Sequence, residues 1–99
     1  MDITVDDNGH FSIYECKVDK TTIQDVAQLV MYYVIAVVTG TDVHEGVLVA
    51  REHSKGVKNL VAIFNKLKDP RGKLFNLRLS SWVDEGVPYD ENVKDVYSI

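Results

Sequence analysis

Apolar and polar residues alternate over two short stretches near the start of the chain, on either side of Asn8-Gly9. Alternation marks a half-buried strand, and Asn-Gly is the strongest short hairpin signal, because both central residues of a type I′ turn need positive φ. The stretch from Asp2 to Lys17 is therefore expected to fold as a hairpin. A two-residue loop pairs Asp7 with His10 and, counted back, sets Asp2 directly opposite Glu15. Thr21-Thr22 then introduces a helix, with Thr21 and Gln24 in capping-box spacing and Thr22 and Asp25 in a weaker version of it. Ile23, Val26, Ala27, Leu29, Val30, Met31, Val34, Ile35, Val37 and Val38 leave almost no polar face, so this helix is expected to be buried on most sides. Gly40 suits its end, although the β-branched run from Val34 to Val38 also reads as strand by propensity.

Val47-Leu48-Val49-Ala50 is a continuous apolar run, as in an inner strand covered on both faces. Ser54 can cap a second helix running to about Leu67, with Val57, Leu60, Val61, Phe64 and Leu67 as its apolar stripe and Lys55, Lys58 and Lys66 outside it. Asp69-Pro70-Arg71-Gly72 has turn composition. From Leu74 to Leu79 the residues alternate again, as in a half-buried edge strand. Past Ser80 the periodicity fades, leaving an irregular C-terminal extension over 81–99 with a weak helical turn near Asn92 to Tyr97. The order strand, strand, helix, strand, helix, strand predicts an α/β fold, a mixed sheet flanked by helices, in one domain over 1–99.

Composition narrows the class. No uninterrupted apolar run is long enough to span a membrane and the first residues are acidic and polar, so the expectation is no membrane partner and a cytoplasmic location. A single cysteine, Cys16, excludes an internal disulfide and a cysteine-based zinc finger. The net charge of −4 conceals a division along the chain. Residues 1–50 carry eight acids against two lysines, and residues 51–78 carry eight Lys/Arg against two acids. An acidic half suited to a cation thus adjoins a basic half suited to a polyanion, or else the basic residues simply solvate one helix face.

In the hairpin register above, Asp2, Glu15 and Lys17 share one face at one end of the sheet. Two close carboxylates favour a divalent cation between them, and oxygen donors, including the Cys16 carbonyl, suit Mg²⁺ or Mn²⁺ rather than zinc. A lysine beside such a metal can orient water or stabilise charge on a phosphate. Arg51, His53, Lys55 and Lys58 follow the third strand, where cations and helix N–H groups can meet DNA phosphates; His53 reads either as a metal ligand or general base or as a capping or solvent-facing residue.

Asp2-Ile3, the hairpin, Glu15-Cys16-Lys17, and then a helix bearing Gln28-Leu29-Val30-Met31-Tyr32 together resemble the PD-(D/E)XK nuclease superfamily, in its RecB-like and archaeal-resolvase-like branch. The resemblance covers residues 2–53 best. It implies a restriction-endonuclease-like fold and a Mg²⁺-dependent deoxyribonuclease or endonuclease acting on DNA. Asp2 and Glu15 would be metal ligands and Lys17 the catalytic lysine, with Gln28 and Tyr32 positioning DNA or the catalytic groups. Read without it, Gln28 is a polar residue at a helix margin and Tyr32 an amphipathic core residue. The family's helix before the first strand has no counterpart ahead of Asp2, so an additional N-terminal segment or a homodimer partner is expected to complete the fold. The alternative is an inactive nucleic-acid-binding or assembly module with the same core.

Overall fold

A computed structural model describes residues 2–5, as a strand, and residues 9–84. Its elements are β1 (Asp2–Val5), β2 (Phe11–Cys16), α1 (Ile23–Val38), β3 (Val43–Ala50), α2 (Lys55–Phe64) and β4 (Leu77–Ser81). The expected mixed α/β architecture is present. The four strands lie in the order β1-β2-β3-β4, with β1 antiparallel to β2 and with β2, β3 and β4 mutually parallel. Each parallel step needs a crossover, and α1 and α2 supply the two. Both helices pack on the same face of the sheet and on each other, around a core that includes Ile13, Val26, Leu29, Tyr33, Leu48, Val57 and Leu77. A smaller cluster of Cys16, Val47, Val49 and Trp82, with Tyr14 against it, lies on the opposite face. No helix among the described residues is long and apolar enough to cross a membrane.

Local chemistry accounts for most boundaries. Thr22, not Thr21, caps α1: its N–H and its hydroxyl both donate to the Asp25 carboxylate, at 2.7 and 3.1 Å. The helix continues through Val34–Val38 despite their β-branching, because Val37 enters the core beside Val43. Gly40, at φ +94°, then lets the chain turn back. Val47 to Ala50 is buried on both faces as expected, with none of the four more than 1 % exposed. Gly46 in the same strand leaves room for α1 and β4, since a Cβ there would stand 3.1 to 3.3 Å from Leu77, Tyr33 and Leu29. Helix α2 stops at Phe64, short of Leu67, because the Asn65 side chain leaves the helix to pair with both backbone groups of Leu77 at 2.9 and 2.8 Å.

Two expectations are corrected. The hairpin pairs Asp2 with Tyr14, Ile3 with Ile13, Thr4 with Ser12 and Val5 with Phe11, so Asp2 is one residue out of step with Glu15. An odd number of residues joins the strands in place of the two-residue loop. This register puts Ile3 opposite Ile13, a core residue, and one residue of slip exchanges the faces of a strand. The expected pairing of Asp7 with His10 falls outside the described residues. Helix α1, second, is buried or half-buried over most of its circumference, but part of its apolar surface expected inside faces outward: Ile23, Met31, Ile35 and Val38 are each exposed by half or more.

Candidate functional site

The parallel strands β2, β3 and β4 all end on one edge of the sheet, and both helices begin there. Open α/β sheets commonly bind ligands at the carboxyl ends of their strands. The edge is built by three loops held together. The Glu52 N–H donates to the Asp19 carbonyl at 3.0 Å and the Thr21 N–H to the Glu52 carbonyl at 3.3 Å, joining the segments that follow β2 and β3. Trp82, just past β4, donates its indole N–H to the Lys17 carbonyl at 3.0 Å and the Val18 carbonyl at 3.3 Å.

Lys17 leaves β2 at this edge with its N–H bonded to the Val49 carbonyl at 2.8 Å. Strand alternation sets Ile13, Glu15 and Lys17 on the helix-bearing face. Glu15 is fully buried, at 0 % exposure. Lys17 reaches α1, where its ammonium lies 3.2 Å from the Asp25 carboxylate, itself almost wholly buried. Asp25 therefore does two things, capping α1 through Thr22 and holding the lysine. Asp25, Gln28 and Tyr32, spaced by three and four residues, lie along one side of α1. The Gln28 amide donates to the Tyr32 hydroxyl at 3.0 Å, so this pair is joined as its one-turn spacing suggests.

The remaining sequence candidates separate into two kinds. His53 is a structural tie: its Nε2 donates to the Ser80 carbonyl at 2.7 Å, which leaves Nδ1 to accept from the Thr21 hydroxyl at 2.9 Å. The ring thereby joins the loops after β2 and β3 to β4, and neither nitrogen is directed to a ligand. Arg51, Lys55 and Lys58 are exposed near the start of α2, with Arg51 3.6 Å from Asp19. The Ser54 hydroxyl caps that helix by accepting from the Val57 N–H at 3.3 Å.

Hard oxygen donors characterise this edge, which fits Mg²⁺ or Mn²⁺ in kind. Glu15 and the carbonyl of the buried Cys16 belong to the strand end, whereas Asp2, which starts β1 at the same end of the sheet, pairs with Tyr14 and so does not share the expected face with Glu15 and Lys17. Among the described residues no group of three His, Cys, Asp or Glu side chains is arranged to hold a metal ion.

Sequence reasoning found Glu15, Lys17, Gln28 and Tyr32 and passed over Asp25 except as a cap. The spacing of Asp25 to Gln28 and Tyr32 on one helix face was the available signal. No protein-family model matches the chain, nor does any curated protein or solved structure.

Proposed function

We propose that this chain is the core of a metal-dependent nuclease that hydrolyses DNA phosphodiester bonds, with Glu15 and Lys17 at its chemical centre. One observation carries the reading. The end of the Glu15-Cys16-Lys17 strand is fastened by Lys17 to Asp25, on the side of α1 that bears the bonded pair Gln28 and Tyr32. These are the motif residues of the PD-(D/E)XK resemblance; Glu15 and Lys17 stand at the carboxyl end of β2, and Gln28 and Tyr32 follow Asp25 along α1.

The roles follow from position. Asp25 holds the Lys17 ammonium at the strand end, where it can stabilise charge that develops on a phosphate as water adds to phosphorus and the P–O bond to the leaving oxygen breaks. The Glu15 carboxylate would hold Mg²⁺ or Mn²⁺ with water and substrate oxygens as the other ligands, because Asp2 pairs with Tyr14 and so does not share the face of Glu15. When bound, the metal supplies Lewis acidity and lowers the pKa of an attacking water. Arg51, Lys55 and Lys58 would meet the flanking DNA backbone, and binding through them should weaken with salt.

The offset of Asp2 from Glu15 favours a second reading, a nucleic-acid-binding or assembly module that keeps the nuclease core without cutting. Incubation with labelled single-stranded, duplex and branched DNA in Mn²⁺ or in EDTA separates the two. Cleavage in Mn²⁺ that EDTA abolishes and that Glu15→Gln greatly slows supports the nuclease. Salt-sensitive binding without cleavage supports the module, and absence of both at low salt removes either reading.

A further inference from the structure

Helix α1 has an unusual outward face. Over its sixteen residues the helix contains one charged side chain, Asp25, and that one is buried. The exposed positions are Ile23, Gln24, Ala27, Met31, Ile35 and Val38, an arc of roughly 120° at 100° per residue. Surface helices carry charged residues on their solvent side, and a helix that is apolar all round is one that gets covered. Neither the sheet nor α2 covers this arc: Ile23 is 58 %, Met31 51 %, Ile35 50 % and Val38 63 % exposed.

We propose that this face is the interface between two copies of the chain, paired antiparallel along α1 across a two-fold axis near Met31. Three features select a second copy over a different partner. The stripe is self-complementary about its midpoint, since with the axis at Met31 the small Ala27 faces the position of the large Ile35 in the other copy, while Ile23 and Val38 close the two ends. Such isologous contact is the rule for two-fold dimers. The stripe carries no charge, so juxtaposing it with itself produces no repulsion and nothing on it calls for a charged partner. The area also suffices: the four large side chains expose roughly 400 Å² per copy, which with Ala27, Gln24 and the rim gives on the order of 1,000 Å² across a pair, the lower bound for a specific interface. The stripe lies on a different arc of the helix from Asp25, Gln28 and Tyr32. The dimer therefore stands or falls independently of the nuclease reading.

Sedimentation or light scattering of the chain over a micromolar to high-micromolar series is expected to show a mass rising toward twice 11.2 kDa. Met31→Lys would bury two like charges at the axis and should weaken the dimer by about 100-fold or more, with the circular dichroism spectrum unchanged. Met31→Cys should link to its own copy on oxidation. Ile23→Cys should not, because antiparallel pairing sets the two Ile23 positions about 24 Å apart, the length of the helix. The parent chain, whose Cys16 is buried, is the control. A mass of 11.2 kDa at every concentration, a dimer that survives Met31→Lys, or linkage of Ile23→Cys as strong as that of Met31→Cys would each overturn the proposal.

Discussion

Replacing Asp69 by Asn tests the physical account of the fold at the end of the sheet away from the candidate site. Asp69 ends the run after α2 and its side chain is completely buried. Its carboxylate accepts from the Arg71 N–H at 2.7 Å and from the Arg71 guanidinium at 2.8 and 3.1 Å, with the Lys73 N–H more distant at 3.4 Å. Arg71 in turn donates to the Val43 carbonyl at 3.0 Å and approaches Asp42 at 3.4 Å, tying the turn to the start of β3. Burial alone would raise the Asp69 pKa, but the Arg71 side-chain and backbone hydrogen bonds and its positive charge outweigh that and hold it below the ordinary carboxylate range. Breaking a buried pair by removing one charge costs about 3–5 kcal/mol. Since Arg71 is 22 % exposed and keeps Asp42 nearby, about 3 kcal/mol is the appropriate expectation for Asp69→Asn. That lowers the melting temperature by on the order of 10–20 °C for a domain of this size.

The sign of the pH dependence follows from the lowered pKa. The native state binds the Asp69 proton more weakly than the unfolded chain does, so its contribution is complete above the unfolded carboxyl value and is lost as pH falls through the native one. Urea denaturation of both proteins at neutral and acidic pH should show the gap narrowing once the pH drops below the ordinary carboxylate range. A destabilisation under about 1 kcal/mol at neutral pH, or a gap that persists undiminished in acid, would refute the assignment.

Two further outcomes probe packing. Gly46→Ala should destabilise by about 1–3 kcal/mol in chemical denaturation, because its Cβ meets three core side chains at 3.1 to 3.3 Å. Ser80→Ala should be neutral or stabilise by up to about 1 kcal/mol by thermal melting, since the Ser80 hydroxyl is buried with no hydrogen-bond partner among the described residues.

Which features could be read from the chain, and which could not, depends on the range of the interaction. Periodicity and capping are local, so the element order, the buried strand at Val47 to Ala50 and the Ser54 cap were all legible. The antiparallel pairing of the first two strands was legible, and Gly9 has the expected positive φ of 79°, but the register was not. Pairing depends on what each strand faces across the sheet, and Ile13 in the core decides more than the dipeptide does. Asp69-Pro70-Arg71-Gly72 read as a turn, whereas the attachment of Arg71 to β3 joins residues far apart in sequence. At the candidate site Glu15 and Lys17 were singled out by strand alternation, and Gln28 and Tyr32 by the family resemblance. Asp25 and the tie from His53 to Thr21 and Ser80 were hidden, because each depends on loops meeting at the sheet edge. The apolar composition of α1 was plain, but that a third of its circumference would face outward follows from both helices lying on one side of the sheet.

The measurement closest to the central claim is single-turnover cleavage of labelled DNA by the chain and by Lys17→Ala, in Mn²⁺, with binding and thermal unfolding followed in parallel. The ammonium of Lys17 is partly exposed and its removal leaves the Thr22 cap to Asp25 in place, so the fold should persist. The account predicts metal-dependent cleavage by the parent chain that falls by about 10²–10³-fold in the variant while the variant stays folded, though with a lower melting temperature, and still binds DNA. Cleavage that Lys17→Ala leaves intact, or that proceeds equally in EDTA, would contradict it.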